Sequence, residues 1–420
     1  MPHFLERFLS PSAPLAARVP AGDAGAFAGG LSGVLRHALA VKLDPARRAA
    51  ELAQRAQSVR AATATQVSRL ARDRWLLAVL AISVVALVLR LVGDGFGLPA
   101  HYLWDEPTIV NRAVRMGNGD LNPHFFYYPG LTFYLTFLAE AALFVVGHLR
   151  HAYPSTSAYA TAFFTNSTAF YLVGRVLAAF IGAGTCIVTY LVGKRFFTPA
   201  VGIIAAAVVA VSPVAMANAH FTTLDVPMAF FVVLAYVGIW QVYARGSRGD
   251  YLFAGAAIGL GIATKYLPGL LLVSLVLAHV LRTQRATGRW QPRRADVAPL
   301  AWGIGATLVA TFITSPFTFL DWRDAIRDYS AQSALSGVAQ TSTAPINFGP
   351  YLSAGLPWSV GWLAYLAALV GLVAVARAQG ARRLELLLFL SFPLLFFLVI
   401  GSAHQAFTRY LVTMVPFVAL

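Results

Sequence analysis

Stretches of roughly 18 to 25 apolar residues recur along most of this chain, each about long enough to cross ~30 Å of hydrocarbon as an α-helix. In lipid every backbone N–H and C=O must find a partner inside the protein, so repeated runs of this length dictate a helical bundle. Composition agrees: 58% of residues are hydrophobic, 12% are charged and mean hydropathy is +0.67, whereas soluble domains carry about a quarter charged residues. The runs read as spans are 75–92, 169–193, 199–218, 226–244, 251–264, 267–281, 298–315, 351–376, 384–400 and 410–420. The expected fold class is all-α, a polytopic transmembrane bundle forming one membrane domain over 75–420. The last run is too short to cross, which leads us to expect that the protein continues beyond residue 420.

Residues 1–74 read differently. "SPSAPLAARVPAGDAGAFAGG" is rich in Ala, Gly and Pro, the composition of a flexible arm. An Ala/Arg-rich helix follows over 46–73, with Leu52, Ala56, Val59, Val67 and Leu70 on one stripe, suited to an anionic membrane surface or to a solvated linker. No short apolar run with a small-residue cleavage site precedes residue 75, so no cleaved leader is expected. The single Cys186 excludes an internal disulfide.

A net charge of +15 would suggest nucleic acid in a soluble protein. Its distribution excludes that reading. With residues 1–74 in the cytoplasm, alternation places Lys194/Arg195, Arg245/Arg248, the Arg282–Arg294 cluster and Arg377/Arg382/Arg383 on the same side. That side then holds 23 Lys+Arg against 8 Asp+Glu, and the remainder holds 9 against 9. The whole surplus is the positive-inside signature, with nothing left for nucleic acid. One further run, 131–149, is excluded from the spans, because crossing would move every later basic loop outside and expose Glu140 to lipid. It is expected to lie at the outer interface as an external juxtamembrane helix.

This topology gathers the rare ionisable residues of the apolar body on one face. Asp105 and Glu106 fall on the first external loop, His220 and Asp225 where the third span re-emerges, Lys265 in the turn "ATKYLPG" and Arg409 in "HQAFTRYLV". Each has a bland alternative. Asp105 and Asp225 precede prolines at helix entries and could simply cap them; Lys265 and Arg409 could snorkel to the interface. Against this stands their company: the first loop also carries Arg112, Arg115, His124 and the aromatic run "NPHFFYYPG", too much polar and aromatic material for a connector. Carboxylates with cations at a bilayer edge suit group transfer from a lipid-linked phosphate. A carboxylate takes the proton of an attacking hydroxyl while Lys or Arg stabilises charge growing on the leaving phosphate. No Gly-rich phosphate loop, HExxH, paired CxxC or GxSxG element competes.

The pattern resembles the C-type (GT-C) glycosyltransferases, specifically family 39 and its relatives, the protein O-mannosyltransferases and lipid A aminoarabinose transferases. The resemblance is carried by "WDEP" after the first span, "NPHFFYYPGLTFYL", "YLVGRVLAAFIGAGTCIVTYLVGKRFF", "VSPVAMANAHFTTLDVPMAFFVVLA", "GLGIATKYLPGLLL" and "TRYLVTMVPFVAL", in family order over 75–420. It implies a GT-C fold whose first external loop supplies the catalytic aspartate, here Asp105. Glu106 completes the family's acidic pair, and Asp225 matches a second acidic position. Lys265 and Arg409 match basic positions suited to the donor phosphate. The family's His-Pro-Pro element is degenerate, as Tyr127–Tyr128–Pro129 with His124 three residues earlier, which leaves a divalent metal an open question.

The expected protein is a multi-pass enzyme of a bacterial plasma membrane with its site facing outside, transferring a sugar from a polyprenyl-phosphate donor, with inversion, to a hydroxyl of a glycan, lipid or protein acceptor. Asp105, Glu106 and Asp225 are the catalytic candidates; Lys265, Arg409, His124, Tyr128, Arg112 and His220 are the substrate-binding candidates. Rival readings are an oligosaccharyl or pentosyl transferase of the same fold, a polyprenyl-linked lipid or sugar transporter or flippase, and a scaffold subunit of a larger complex.

Overall fold

The computed structural model describes residues 74–100, 102–290, 294–336, 347–403 and 405–420. The arm and its amphipathic stripe, read from the sequence over 1–74, lie outside them except for Arg74. The described chain is helical: α1 (Arg74–Leu91), α2 (Asp105–Met116), α3 (Leu131–Leu149), α4 (Thr156–Thr165), α5 (Thr168–Phe196), α6 (Pro199–Val211), α7 (Pro213–Ala219), α8 (Asp225–Ala244), α9 (Arg248–Thr264), α10 (Leu271–Thr287), α11 (Arg294–Thr314), α12 (Phe317–Leu320), α13 (Trp322–Ser336), α14 (Phe348–Val360), α15 (Trp362–Arg377), α16 (Gly380–Gly401) and α17 (Val415–Ala419). Seven helices among the described residues are long and apolar enough to cross a membrane, nine if each bent pair counts as one span.

Helix starts follow local chemistry. Thr198 and Ser212 cap α6 and α7 ahead of Pro199 and Pro213, whose missing N–H costs nothing at that position. Ser247 and Asp250 form a reciprocal capping box at the start of α9. α8 is the central helix, with 72% of its apolar window buried, against 22% for α1 and 17% for α11 at the periphery. Small residues let the helices approach closely: a Cβ on Gly193 of α5 would meet the Gly202 Cα of α6 at 2.4 Å, and one on Gly255 of α9 the Gly303 carbonyl oxygen of α11 at 2.0 Å.

Two runs read as single spans are broken. The 199–218 run bends by 55° between α6 and α7. The carbonyls freed there are satisfied by Arg90 at the end of α1, whose buried guanidinium donates to the oxygens of Val209 and Ala210 at 3.0 Å each. The 351–376 run bends by 119° at Gly361, whose φ of +84° suits glycine and interrupts the helix. The 410–420 run opens as a 3-10 turn over Thr408–Thr413 before α17.

Helix ends sort into two edges. The basic residues converge on one: Arg282 donates to the Arg245 carbonyl at 2.9 Å and Arg382 to that of Phe196 at 2.7 Å. The other edge holds the loops after α1, α7 and α9 and the Thr408–Thr413 turn. At this second edge lies α3. It is apolar enough to cross, yet the Gly130 N–H at its start donates to Ser315 Oγ at the end of α11, 2.7 Å away. Its second half, at Leu143, packs with Phe170 and Tyr171 in the first turn of α5. Both of its ends therefore meet the same edge.

Candidate active site

The first turn of α2 sends neighbouring carboxylates to different partners. Glu106 is fully buried and receives two hydrogen bonds from Arg175 of α5, at 2.8 and 2.7 Å, with a third from the Thr222 N–H at 2.9 Å. Arg175, 1% exposed, directs Nη1 to the carbonyls of Asp94 and Phe96, at 2.6 and 2.8 Å, and lies over the Phe221 ring. This bidentate pair locks the loop after α1, the start of α2, the body of α5 and the segment before α8 into one unit.

Asp105 points elsewhere. Its carboxylate pairs with Arg409 from the 3-10 turn, and both side chains keep about a fifth of their surface open, 20% and 23%. Close by, Asp225 at the start of α8 pairs with Lys265, whose Nζ lies 2.7 Å from Oδ1 and 4.9 Å from the centre of the Tyr410 ring. Neither aspartate caps its helix: the N-cap positions are Trp104 and Leu224, without side-chain capping bonds. Lys265 is 14% exposed and turns its ammonium to Asp225. The two pairs share one electrostatic environment. Burial lowers the pKa of Arg409, but the Asp105 and Asp225 carboxylates more than offset this and hold it above its ordinary value. Tyr128 feels the same charges. Burial, then the Asp105 charge, pushes its phenol well above the ordinary range against the pull of Arg409, so it stays a neutral O–H donor.

Other sequence candidates lie apart from this cluster. His124 is exposed, with Nε2 2.8 Å from Asp120 Oδ2. Arg112 donates to the Thr108 carbonyl and stacks on the Phe125 ring at 4.1 Å. It buttresses the aromatic loop, which is further pinned by the Phe126 N–H donating to Asp328 of α13 and the Phe126 carbonyl accepting from Tyr266, both at 2.9 Å. The two ring nitrogens of His220 lie 2.9 Å from the carbonyl oxygens of Met216 and Val92, tying α7 to the end of α1. Among the described residues no three His, Cys, Asp or Glu side chains converge into a metal-binding group.

Sequence reasoning missed Arg175, Asp94 and Tyr410. Arg175 had a visible signal, a lone arginine inside the apolar run 169–193, where a charge requires a partner. Asp94 is 3% exposed, and neither carboxylate oxygen has a hydrogen-bond partner. Burial raises its pKa to about 6, with His220 and Arg175 pulling the other way.

Comparison with known proteins fits this geometry. A family model described as dolichyl-phosphate-mannose-protein mannosyltransferase matches residues 154–317, a segment that includes Arg175, Asp225 and Lys265. No curated protein sequence matches the chain. Among solved structures, ArnT from Cupriavidus metallidurans bound to undecaprenyl phosphate superposes with a TM-score of 0.57 at 18% identity, over 83% of this chain and 59% of that one. The Archaeoglobus fulgidus oligosaccharyltransferase, tethered to an acceptor peptide containing the NVT sequon, superposes with a TM-score of 0.52 at 13% identity, over 84% and 49%. The chain thus spans between half and three fifths of the length of the structures it resembles. The resemblance read from the sequence and the all-helical class both hold, and the chain has the GT-C fold of membrane glycosyltransferases of the protein mannosyltransferase and ArnT type.

Proposed function

We propose that the protein transfers a sugar from a polyprenyl-phosphate donor to an acceptor hydroxyl at the outer face of the membrane, with inversion at the anomeric carbon and Asp105 as base. The observation that carries this is the pairing of Asp105 with Arg409, both partly open, beside Lys265 with the buried Asp225: two carboxylates and two cations at one edge of a helical bundle. The donor's lipid cannot leave the bilayer, so a base that meets it must wait at that edge.

In this reading each cation is held by a carboxylate until the donor arrives. The donor phosphate engages Arg409 and Lys265, and Asp105, released from Arg409, accepts the acceptor O–H proton as the oxygen attacks the anomeric carbon. The sugar–phosphate bond breaks with its electron pair going to the phosphate, where the same cations stabilise the growing charge. Tyr128 donates its neutral O–H within the site. Glu106 holds the backbone that aims Asp105, through Arg175. The positive-inside rule supports placing this site outside, since the basic residues gather at the opposite edge. That separation, with ionisable groups at one edge and not at the midplane, weighs against a transporter.

The test incubates purified protein with a polyprenyl-monophosphate sugar of defined anomeric configuration and a hydroxyl-bearing acceptor, and follows released polyprenyl phosphate, with the anomeric configuration of the glycosylated acceptor read by NMR. Release with inversion is expected; retention of configuration would exclude direct displacement. Orientation is read separately in intact cells, where an impermeant thiol reagent should label Cys introduced at Ser336 and not at Ser247.

A further inference from the structure

A cleft of about 370 Å³ runs between α15 on one side and α6 with α16 on the other, floored by α17. Its wall begins near Leu352 and Leu356 at the site edge and ends near Phe197 and Val375 at the basic edge, and Tyr365 contributes the one polar side chain. α15 has no buried residue and stands off from the bundle. The stretch of α15 facing the cleft, Ala364 to Val375, rises about 16 Å, close to the ~15 Å hydrocarbon depth of one leaflet. A dry wall of this length fits a hydrocarbon chain.

The mouth at the basic edge has the opposite character. Arg382 lies over the Phe197 ring, donates to the Phe196 carbonyl and pairs with Glu385, so it is part of the rim. Arg383, beside it, is seven residues before Leu390 and therefore above the α16 stripe that lines the cleft. Arg377 closes α15, two residues beyond Val375. Both Arg377 and Arg383 are exposed and make no ion pair among the described residues. No lysine or arginine lines the cleft itself.

We propose that this cleft binds an anionic phospholipid of the leaflet at the basic edge, one acyl chain along α15 and the phosphate between Arg377 and Arg383. Two exposed guanidiniums at one end of an apolar channel are complementary to a lipid with its negative headgroup at that end. The site is separate from the proposed transfer chemistry, whose cations lie at the other edge.

The experiment titrates the detergent-purified protein with phosphatidylglycerol or phosphatidylcholine of identical acyl chains and counts retained lipid by native mass spectrometry. Phosphatidylglycerol should be retained at least several-fold better, and Arg377→Gln with Arg383→Gln should reduce that ratio to about one without changing thermal unfolding in lipid-free detergent. Ala368→Trp, which fills the cleft, should lower retention of both lipids. Equal retention of the two lipids would overturn the proposal, as would a preference that survives the double substitution. Displacement of phosphatidylglycerol by undecaprenyl phosphate with no loss in the arginine variant would assign the cleft to a polyprenyl tail instead, and burial of the cleft against a second copy, seen as a dimer that excludes lipid, would assign it to an interface.

Discussion

Asp105 and Glu106 are adjacent in sequence and opposite in circumstance. Glu106 is sealed, with three hydrogen bonds and no exposed surface. Asp105 is a fifth exposed and held by one cation from a distant turn. A buried bidentate pair stabilises less than its Coulomb attraction suggests, because desolvation offsets much of the gain, yet breaking it leaves an uncompensated charge. A pair that keeps a fifth of its surface open can exchange partners at less cost than a sealed one. The comparison teaches that an acidic doublet beside a membrane need not be two copies of one function: here one carboxylate fixes the frame, and the other keeps the exposure that the proposed base requires. The fold arranges this by helical geometry, since consecutive residues in the first turn of α2 point about 100° apart.

The sharpest way to break the comparison is Asp105→Asn. A positioned base contributes about 10²–10⁴-fold, so turnover should fall by at least that order, while thermal unfolding changes little because Asn keeps the shape and can still accept from Arg409. Turnover near that of the parent protein would end the assignment of Asp105 as base. Glu106→Gln should behave in reverse. It leaves Arg175 buried without its counter-charge, a loss of about 3–5 kcal/mol of stability, read as a large drop in the midpoint of thermal unfolding. Replacing both partners, Glu106→Gln with Arg175→Met, should recover part of that drop, because the pair then disappears together. If the single Glu106 variant unfolds normally but loses turnover as Asp105→Asn does, the two carboxylates act as one catalytic pair.

How much of this arrangement the sequence reveals depends on whether the information is local. Spans are legible because apolar length is measured against a fixed bilayer. The gathering of Asp105, Asp225, Lys265 and Arg409 is legible because alternation of spans sorts loops onto two faces without any knowledge of packing. Partner choice is not. That Glu106 takes Arg175 while Asp105 takes Arg409 depends on the rotation of α2 about its axis, which no periodicity in "DEPTIVNRAVRM" fixes. The loop residues illustrate the same limit. Arg112 and His124 sit among polar neighbours in sequence, but the first faces Phe125 and the second Asp120, because α13 pins the aromatic run from a position two hundred residues away. The 119° bend at Gly361 was hidden because Gly and Pro in "GLPWSVGW" are tolerated inside membrane helices as well as at their breaks.

A smaller effect is expected from the second, less exposed pair. Lys265→Ala should lower turnover by about 10²-fold, the order of a single lost donor at a developing negative charge, and Lys265→Arg should restore part of it. The loss should appear with the donor saturating, because the cation contributes most after the bond begins to break. An Ala variant with full turnover would mean that Lys265 only neutralises Asp225, and would reduce the open region of the site to Asp105 and Arg409.

The smallest effect concerns Asp94, which borders the sealed unit through its carbonyl on Arg175 but leaves its own carboxylate unpartnered. Burial raises its pKa to about 6, whereas an unfolded aspartate titrates near 3.9. Between these values the folded protein keeps a proton that the unfolded chain has released, so rising pH favours unfolding through this window and the cost levels off above pH 6. Asp94→Asn keeps the shape without the charge. Its unfolding midpoint should match that of the parent protein near pH 4, then exceed it increasingly up to pH 6, by about 1–2 kcal/mol of stability at neutral pH. Turnover should be unaffected, because Asp94 does not touch Asp105, Arg409, Asp225 or Lys265. A midpoint that falls in the Asn variant at neutral pH would mean the carboxylate is stabilising as an anion against His220 and Arg175, and the sealed unit would then be a four-charge network in which Asp94 is as necessary as Glu106.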